Sequence, residues 1–161
     1  MLKYLSFIII VTFLSCTATK NNDSDQPKMF SGPVLSCGNA SIFQLNKEKD
    51  SYILIQLDMT KVEVNKKVKI GSLGTVVKHV KFDGDVSNVP CNDIMYDDPK
   101  KSSEEKADKG TLELTISAEE LEKKNAGNGY RISVKSSDIT FPDGSVFEIS
   151  VRDAYVGWLP G

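Results

Sequence analysis

Oxygen-bearing side chains are concentrated in the stretch FDGDVSNVPCND, residues 82–93. Asp83, Asp85 and Asp93 supply its carboxylates, and calcium takes about six to eight oxygen ligands of this kind. The EF-hand pattern is not matched, because Asn88 stands sixth from Asp83, where that loop needs glycine. The stretch therefore indicates either a calcium site or a polar turn whose Asp and Asn side chains accept hydrogen bonds from the adjacent backbone.

Nucleophilic catalysis has little support in the sequence. His79 is the single histidine and would have to act as the base of any serine hydrolase, yet no GxSxG turn accompanies it. It lies in GTVVKHVKF, where the alternation predicts a strand with His79 facing solvent or a neighbouring element. A cysteine nucleophile would need a free thiol. We therefore expect no catalytic residue and no cofactor.

Two other places carry candidate binding residues. The charged segment YDDPKKSSEEKADKG, residues 96–110, has no apolar residue larger than alanine after its first position. Its length and charge predict a solvated loop, or a recognition loop in which Tyr96, Asp97 and Asp98 contact a ligand. Trp158, the only tryptophan, either packs over the open end of the core or anchors a ligand.

A short apolar run, residues 4–14, follows Lys3 at the N-terminus. A helix of that length rises about 16 Å, roughly half of a bilayer's hydrocarbon core. The run therefore fits a cleaved signal peptide better than a transmembrane anchor. The residues FLSC, which end at Cys16, resemble the lipobox of bacterial lipoproteins, in which small residues precede an obligatory cysteine.

The lipobox resemblance covers only the first 16 residues, and Phe13 stands where leucine is commoner. It implies cleavage before Cys16, a diacylglyceryl thioether on the sulfur and acylation, as by palmitate, of the new amine. Two acyl chains are enough to anchor a protein stably, whereas one chain is not. Ordinary secretion with cleavage after Ala18 is the alternative. In some bacteria an aspartate directly after the cysteine resembles an inner-membrane retention signal, and here that position is Thr17. We therefore expect the protein in the outer membrane, and the sequence does not decide on which face.

Lipidation of Cys16 leaves Cys37 and Cys91 as a pair among the three cysteines. Because export places them in an oxidising compartment, the pair predicts a disulfide. Closing a loop of roughly 55 residues would stabilise the fold by about 4 kcal/mol in the chain-entropy model. A zinc site is the alternative, and the absence of CxxC spacing argues against it.

From residue 34 onward, apolar residues alternate with polar ones at period two, which is typical of strands with one buried face. The pattern predicts strands at 52–57, 61–65, 68–70, 111–116, 130–135, 139–141 and 146–152. The Pro142-Asp143-Gly144 turn predicts a hairpin between the last two. About seven to nine strands at this spacing predict an all-β fold, an antiparallel β-sandwich or a small barrel.

One short helix is expected near 118–124, because Ser117 to Glu120 forms a capping-box pattern followed by Leu121. We expect this helix to be a lid or a crossover between sheets. Polar residues 17–33 cannot bury enough apolar surface to fold, so they predict a flexible tether spanning roughly 20–25 Å.

The 161 residues therefore divide into a signal peptide at 1–15, a lipidated cysteine with its tether at 16–33, and a single β domain at 34–161. A net charge of -2 without a basic stripe argues against nucleic acid as a partner. The expected partners are the membrane, through the lipid anchor, and an unknown envelope or surface ligand.

The expected function is that of a lipid-anchored cell-envelope protein with a non-catalytic binding or structural β domain. One alternative is a small envelope enzyme or calcium-dependent protein that uses the carboxylates of residues 83–98. Another is a periplasmic inhibitor or assembly partner of a different exported protein. Fold class alone does not decide among these functions.

Overall fold

The computed structural model describes residues 28–38, 40–91 and 99–157. Within these ranges the chain forms ten strands and one helix. The elements are β1 Lys28–Met29, β2 Val34–Cys37, β3 Ser41–Leu45, β4 Ser51–Gln56, β5 Lys67–Lys69, β6 Val76–Phe82, β7 Lys101–Lys106, β8 Thr111–Thr115, α1 Ala118–Asn125, β9 Tyr130–Thr140 and β10 Val146–Val156. No helix in these ranges has the length and apolar character needed to cross a bilayer.

The strands form two five-stranded sheets. The first sheet has the order β1-β10-β9-β8-β5, and the second has the order β2-β3-β4-β6-β7. Paired strands are antiparallel except for β1, which runs parallel to β10. In the described part of the chain the two sheets are separate and enclose a common core. The prediction of an all-β fold is confirmed, with the architecture of a sandwich.

The inner faces of the two sheets supply one hydrophobic core. Ile53 and Ile55 of β4 are fully buried, as are Leu114, Val134 and Val151 of the first sheet. The period-two pattern identified these positions because a strand turns alternate side chains to the same face. The predicted hairpin is also confirmed, since β9 and β10 pair on either side of the turn that follows residue 140.

The prediction of a strand at 61–65 is wrong, because the chain turns there instead. Asp58 accepts hydrogen bonds on its side chain from the backbone N–H of Thr60 and on its carbonyl from Val62. Such a carboxylate-capped turn competes with an extended ladder. Val62 is nevertheless buried, so its apolar character reflects packing of a loop against the core.

The prediction that 96–110 is a loop is wrong for Lys101–Lys106, which form the edge strand β7. The backbone of β7 pairs with β6, and its polar side chains tolerate the position because an edge strand remains largely in water. Charged side chains on such an edge also discourage unwanted pairing with other chains. Hydrophobic periodicity cannot detect a strand that is held by backbone hydrogen bonds and polar side chains.

The predicted helix is confirmed as α1, and the Ser117 hydroxyl accepts a hydrogen bond from the Glu120 backbone N–H at 3.2 Å. The Glu120 carboxylate accepts from the Arg131 backbone N–H at 2.6 Å, so it ties the helix to β9. The expectation of a crossover between sheets is wrong, and the alternative of a lid stays a prediction. The helix connects β8 to β9, which are neighbours within the first sheet.

The described chain enters the domain earlier than residue 34. Lys28–Met29 pair with β10, and the Phe30 side chain is only 5% exposed. The Phe30 carbonyl accepts a 2.6 Å hydrogen bond from Gln44 Nε2. Gly32 passes so close to the β3 carbonyls that an added Cβ would lie 2.5 Å from the Leu45 oxygen. The C-terminal end of the predicted tether is therefore packed against the sandwich.

Candidate functional site

The outer faces of the two sheets differ in chemistry. On the first sheet, one row of paired residues across four strands is polar throughout: Lys67, Glu113, Lys135 and Ser150. On the second sheet the outer face carries partly exposed apolar side chains, which we call the aromatic face: Leu35, Phe43, Tyr52, Leu54 and Phe82. The prediction of one buried and one wet face per strand holds for the first sheet and is wrong for the second.

Tyr52 links the three rings of the aromatic face, since its ring contacts those of both Phe43 and Phe82. The ring centroids of Phe43 and Tyr52 are 5.2 Å apart with an interplanar angle of 85°. Those of Tyr52 and Phe82 are 5.5 Å apart at 40°. Edge-to-face packing of this kind adds to the stabilisation from buried area. Because the ring planes are inclined to one another, the face is an interlocked apolar surface and not a flat platform.

A charged cluster borders the aromatic face on the β6–β7 side. The Glu104 carboxylate accepts hydrogen bonds from Lys101 Nζ and Lys78 Nζ, each at 2.7 Å. These two hydrogen bonds lower the pKa of Glu104 from its ordinary 4.5 to about 2. Burial raises the pKa of the neighbouring Tyr52 phenol, and the negative charge of Glu104 raises it further. The apolar centre of the aromatic face therefore lies directly beside a charged border.

The Glu104 cluster predicts a small pH dependence of stability. Because its pKa is lower in the folded state, Glu104 stabilises the fold above about pH 5, and this contribution is lost as the pH falls towards 2. A Glu104→Gln variant should be less stable than the wild type at pH 7 by under about 1 kcal/mol, since the carboxylate is one-third exposed. Urea unfolding should show the difference vanishing near pH 2; a difference that persists there would contradict the assignment.

Part of the outer face of the second sheet is covered by residues 83–91, which we call the cover segment. It leaves the sheet at the end of β6 and finishes at Cys91, which is bonded to Cys37 on the edge strand β2. Pairing across the sheet places Cys37 level with Val76, at the opposite end of β6 from Phe82. The cover segment therefore crosses the sheet diagonally.

A second, smaller group of buried apolar residues lies along this path. Leu45, Val80 and Val86 are each at most 3% exposed, yet they do not belong to the main core. Strand pairing puts Leu45 and Val80 on the outer face, on either side of Tyr52. The Val86 backbone N–H donates to the Lys49 carbonyl at 2.8 Å, which holds Val86 over the sheet.

The predicted disulfide between Cys37 and Cys91 is confirmed. The two Cα atoms are 5.5 Å apart, and 54 positions separate the residues in sequence. The bond attaches the far end of the cover segment to β2. Its position beside Leu35 and Phe43 places it at the margin of the aromatic face.

Asp83 and Asp85, the described members of the predicted calcium site, are both exposed on the cover segment. The Asp85 carboxylate accepts a hydrogen bond from the Ser87 backbone N–H at 2.7 Å, and hydrogen bonds from Ser87 lower its pKa. Among the described residues no group of three or more acidic, histidine or cysteine side chains is placed to hold a metal. The geometry of Asp85 matches the polar-turn interpretation.

Several predicted residues lie outside the described ranges, so the predictions made for them stay predictions. They are Cys16, Asp93, Tyr96, Asp97, Asp98 and Trp158.

His79 faces the space between the sheets and not solvent, with 8% of its surface exposed. Its ring centroid lies 4.9 Å from that of Phe147, 5.5 Å from that of Phe30 and 6.0 Å from that of Phe141. The imidazole thus forms part of an aromatic cluster that includes the first residues of the domain. The imidazole also lines a surface pocket that Asn46, Asp50 and Lys81 share.

Comparisons of the chain with protein-family models, with curated proteins and with solved structures found no match in any of the three.

Proposed function

We propose that this chain is a lipid-anchored protein of the bacterial cell envelope, and that its β domain binds another exported protein through the aromatic face without catalysing a reaction. The observation that carries the proposal is the contrast between the two outer faces. The aromatic face combines contiguous, partly exposed apolar area with a polar border, which is the character of protein interaction sites. The polar outer face of the first sheet has no such character.

The geometry of the rings favours a protein over a glycan as the ligand. Stacking of sugar rings needs a flat aromatic surface, whereas Phe43 and Tyr52 are nearly perpendicular. The inclined rings, together with Leu54, form an uneven apolar surface, which suits apolar side chains of a protein better than a flat sugar ring. Glu104 and its two lysine partners supply charged groups at the border, which would favour a partner with charges of its own around an apolar centre.

A non-catalytic role is supported by what the polar residues do. Asp85 caps the backbone of its own turn, and His79 packs against the rings of Phe30, Phe141 and Phe147. Each of these side chains therefore has a structural task in the fold.

The anchoring part of the proposal rests on the lipobox resemblance at Cys16. Residues 17–27 would then join the acylated cysteine to β1, over roughly 20 Å if they behave as a flexible chain. Thr17 favours the outer membrane, because an aspartate at this position resembles an inner-membrane retention signal in some bacteria. An anchored domain stays near its partner in the envelope, which raises the effective concentration and allows a modest interface to function.

Site-specific photocrosslinking in intact cells tests the proposed surface. A photoreactive amino acid replaces Leu54 on the aromatic face in one variant and Lys135 on the polar outer face in a second, matched variant. The Leu54 position should give a discrete adduct with an exported protein, at least about tenfold stronger than the Lys135 position, because partner contacts concentrate at apolar centres. Equal adducts from both faces, or none from Leu54, would refute the proposed surface.

A further inference from the structure

The cover segment is attached to the second sheet differently along its two halves. At its beginning, the backbone N–H of Asp83 donates to the Lys100 carbonyl at 3.0 Å, and that of Val86 donates to the Lys49 carbonyl at 2.8 Å. In its second half, the Val89 N–H donates at 3.1 Å to the carbonyl of Val86, which belongs to the cover segment itself. The disulfide at Cys91 is the covalent link of this half to the sheet.

The residues along the path of the cover segment are apolar. Leu45 and Val80 are buried although they point away from the main core, and Val86 is fully buried. The second half adds the half-buried Val89 and the buried Pro90 to this apolar path, so its release would extend the aromatic face, which is already partly accessible at Phe43 and Tyr52. The extent of the apolar outer surface thus depends on whether the cover segment stays in place.

We propose that the Cys37–Cys91 disulfide is a redox-sensitive latch: its reduction by a dithiol releases the second half of the cover segment and enlarges the aromatic face. The dithiol transfers two electrons and two protons to the bridge. The products are two cysteine thiols on this chain and a disulfide on the reductant. The first half stays attached through its backbone hydrogen bonds, so release is local and reversible.

The inference deepens the proposed function, since the latch would regulate the surface that is proposed to bind the partner. It does not need the partner for its test. Hydrogen exchange reports directly on the release of the cover segment, and photocrosslinking reports on binding. A negative result for release of the cover segment therefore does not affect the test of partner binding, and the reverse also holds.

Amide-resolved hydrogen exchange of the full lipidated chain in detergent micelles tests the latch. The oxidised protein is compared with protein reduced by a phosphine, with reoxidised protein and with a Cys37→Ser/Cys91→Ser variant. On reduction, the Val89 amide should exchange at close to the rate of an unfolded chain, while the amides of Ile132 and Val134 in the first sheet stay protected by the remaining stability of the folded domain. Reoxidation should restore the original protection, and the double variant should match the reduced protein.

Two results would overturn the latch. If Val89 keeps its protection after both thiols have been titrated, the cover segment does not need the bridge. If the Val89 amide of the reduced protein stays as well protected as those of Ile132 and Val134, it opens only when the whole domain unfolds and the bridge controls no local opening. Ile132 and Val134 are suitable references because they are buried and lie in the sheet that the cover segment does not cross.

Discussion

Cells that produce a Cys16→Ser variant are expected to yield no acylated form of this protein, whereas the wild type should incorporate a palmitate analogue. Serine lacks the sulfur that carries the thioether, so the diacylglyceryl group has no attachment point. Each buried methylene contributes about 0.8 kcal/mol to membrane binding, so variant protein that has lost both its acyl chains and its signal peptide should move into the aqueous fraction. Metabolic labelling, followed by fractionation, measures both effects.

The Cys37→Ser/Cys91→Ser variant is the control for acylation. It removes two of the three cysteines and leaves the lipobox intact, so it should be labelled and recovered with the membrane like the wild type. An unlabelled wild-type protein, or label that persists in the Cys16→Ser variant, would contradict lipidation at this cysteine. Ordinary secretion with cleavage after Ala18 would then be the better interpretation.

The largest expected effect on stability comes from the disulfide. The bridge joins residues 54 positions apart. In the chain-entropy model a loop of this size contributes about 4 kcal/mol by restricting the unfolded chain. Removing the bridge should lower the free energy of unfolding by up to that amount, which is a large part of the stability of a domain of this size.

Urea unfolding in the Cys16→Ser background measures this contribution without membranes or other thiols. The matched pair is the Cys16→Ser chain and the triple variant that also carries Cys37→Ser and Cys91→Ser. The unfolding midpoint should fall clearly in the triple variant. A loss below about 1 kcal/mol would mean that the unfolded chain, or the cover segment, is already restricted without the bridge.

Local signals in the sequence were sufficient for much of the fold. The strands around Ile53, Leu114 and Val134 were predicted because each presents alternate apolar residues to the core. The helix α1 was predicted because Ser117 and Glu120 have the spacing of an N-terminal cap. Both signals act over a few residues, and neither depends on the rest of the chain.

Other features depend on contacts that are distant in sequence. The strand β7 forms because its backbone pairs with β6, across a connection that contains the cover segment. Its polar side chains gave no sign of that pairing. The buried Val62 produced the opposite error, since an apolar residue in a turn was interpreted as part of a strand.

The sequence contains a signal for the aromatic face, but the interpretation of β4 as a strand with alternating apolar and polar residues hides it. In β4 the residues Tyr52, Ile53, Leu54 and Ile55 are consecutive, so both faces of this central strand are apolar. A run of this kind is typical of a strand that is covered on both sides. The Glu104 cluster had no comparable signal, because its lysine partners lie on two different strands.

Oxidative footprinting of the protein in native envelopes, compared with the purified lipidated protein, tests the proposed binding surface most directly. Tyr52 and Phe82 should be oxidised several-fold more slowly in the envelope, because a bound partner shields the aromatic face. Met29, which is 61% exposed, and Tyr155 in the first sheet serve as internal references and should be oxidised at the same rate in both preparations. Equal oxidation of Tyr52 and Phe82 in the two preparations would contradict the assignment of this face as the binding surface.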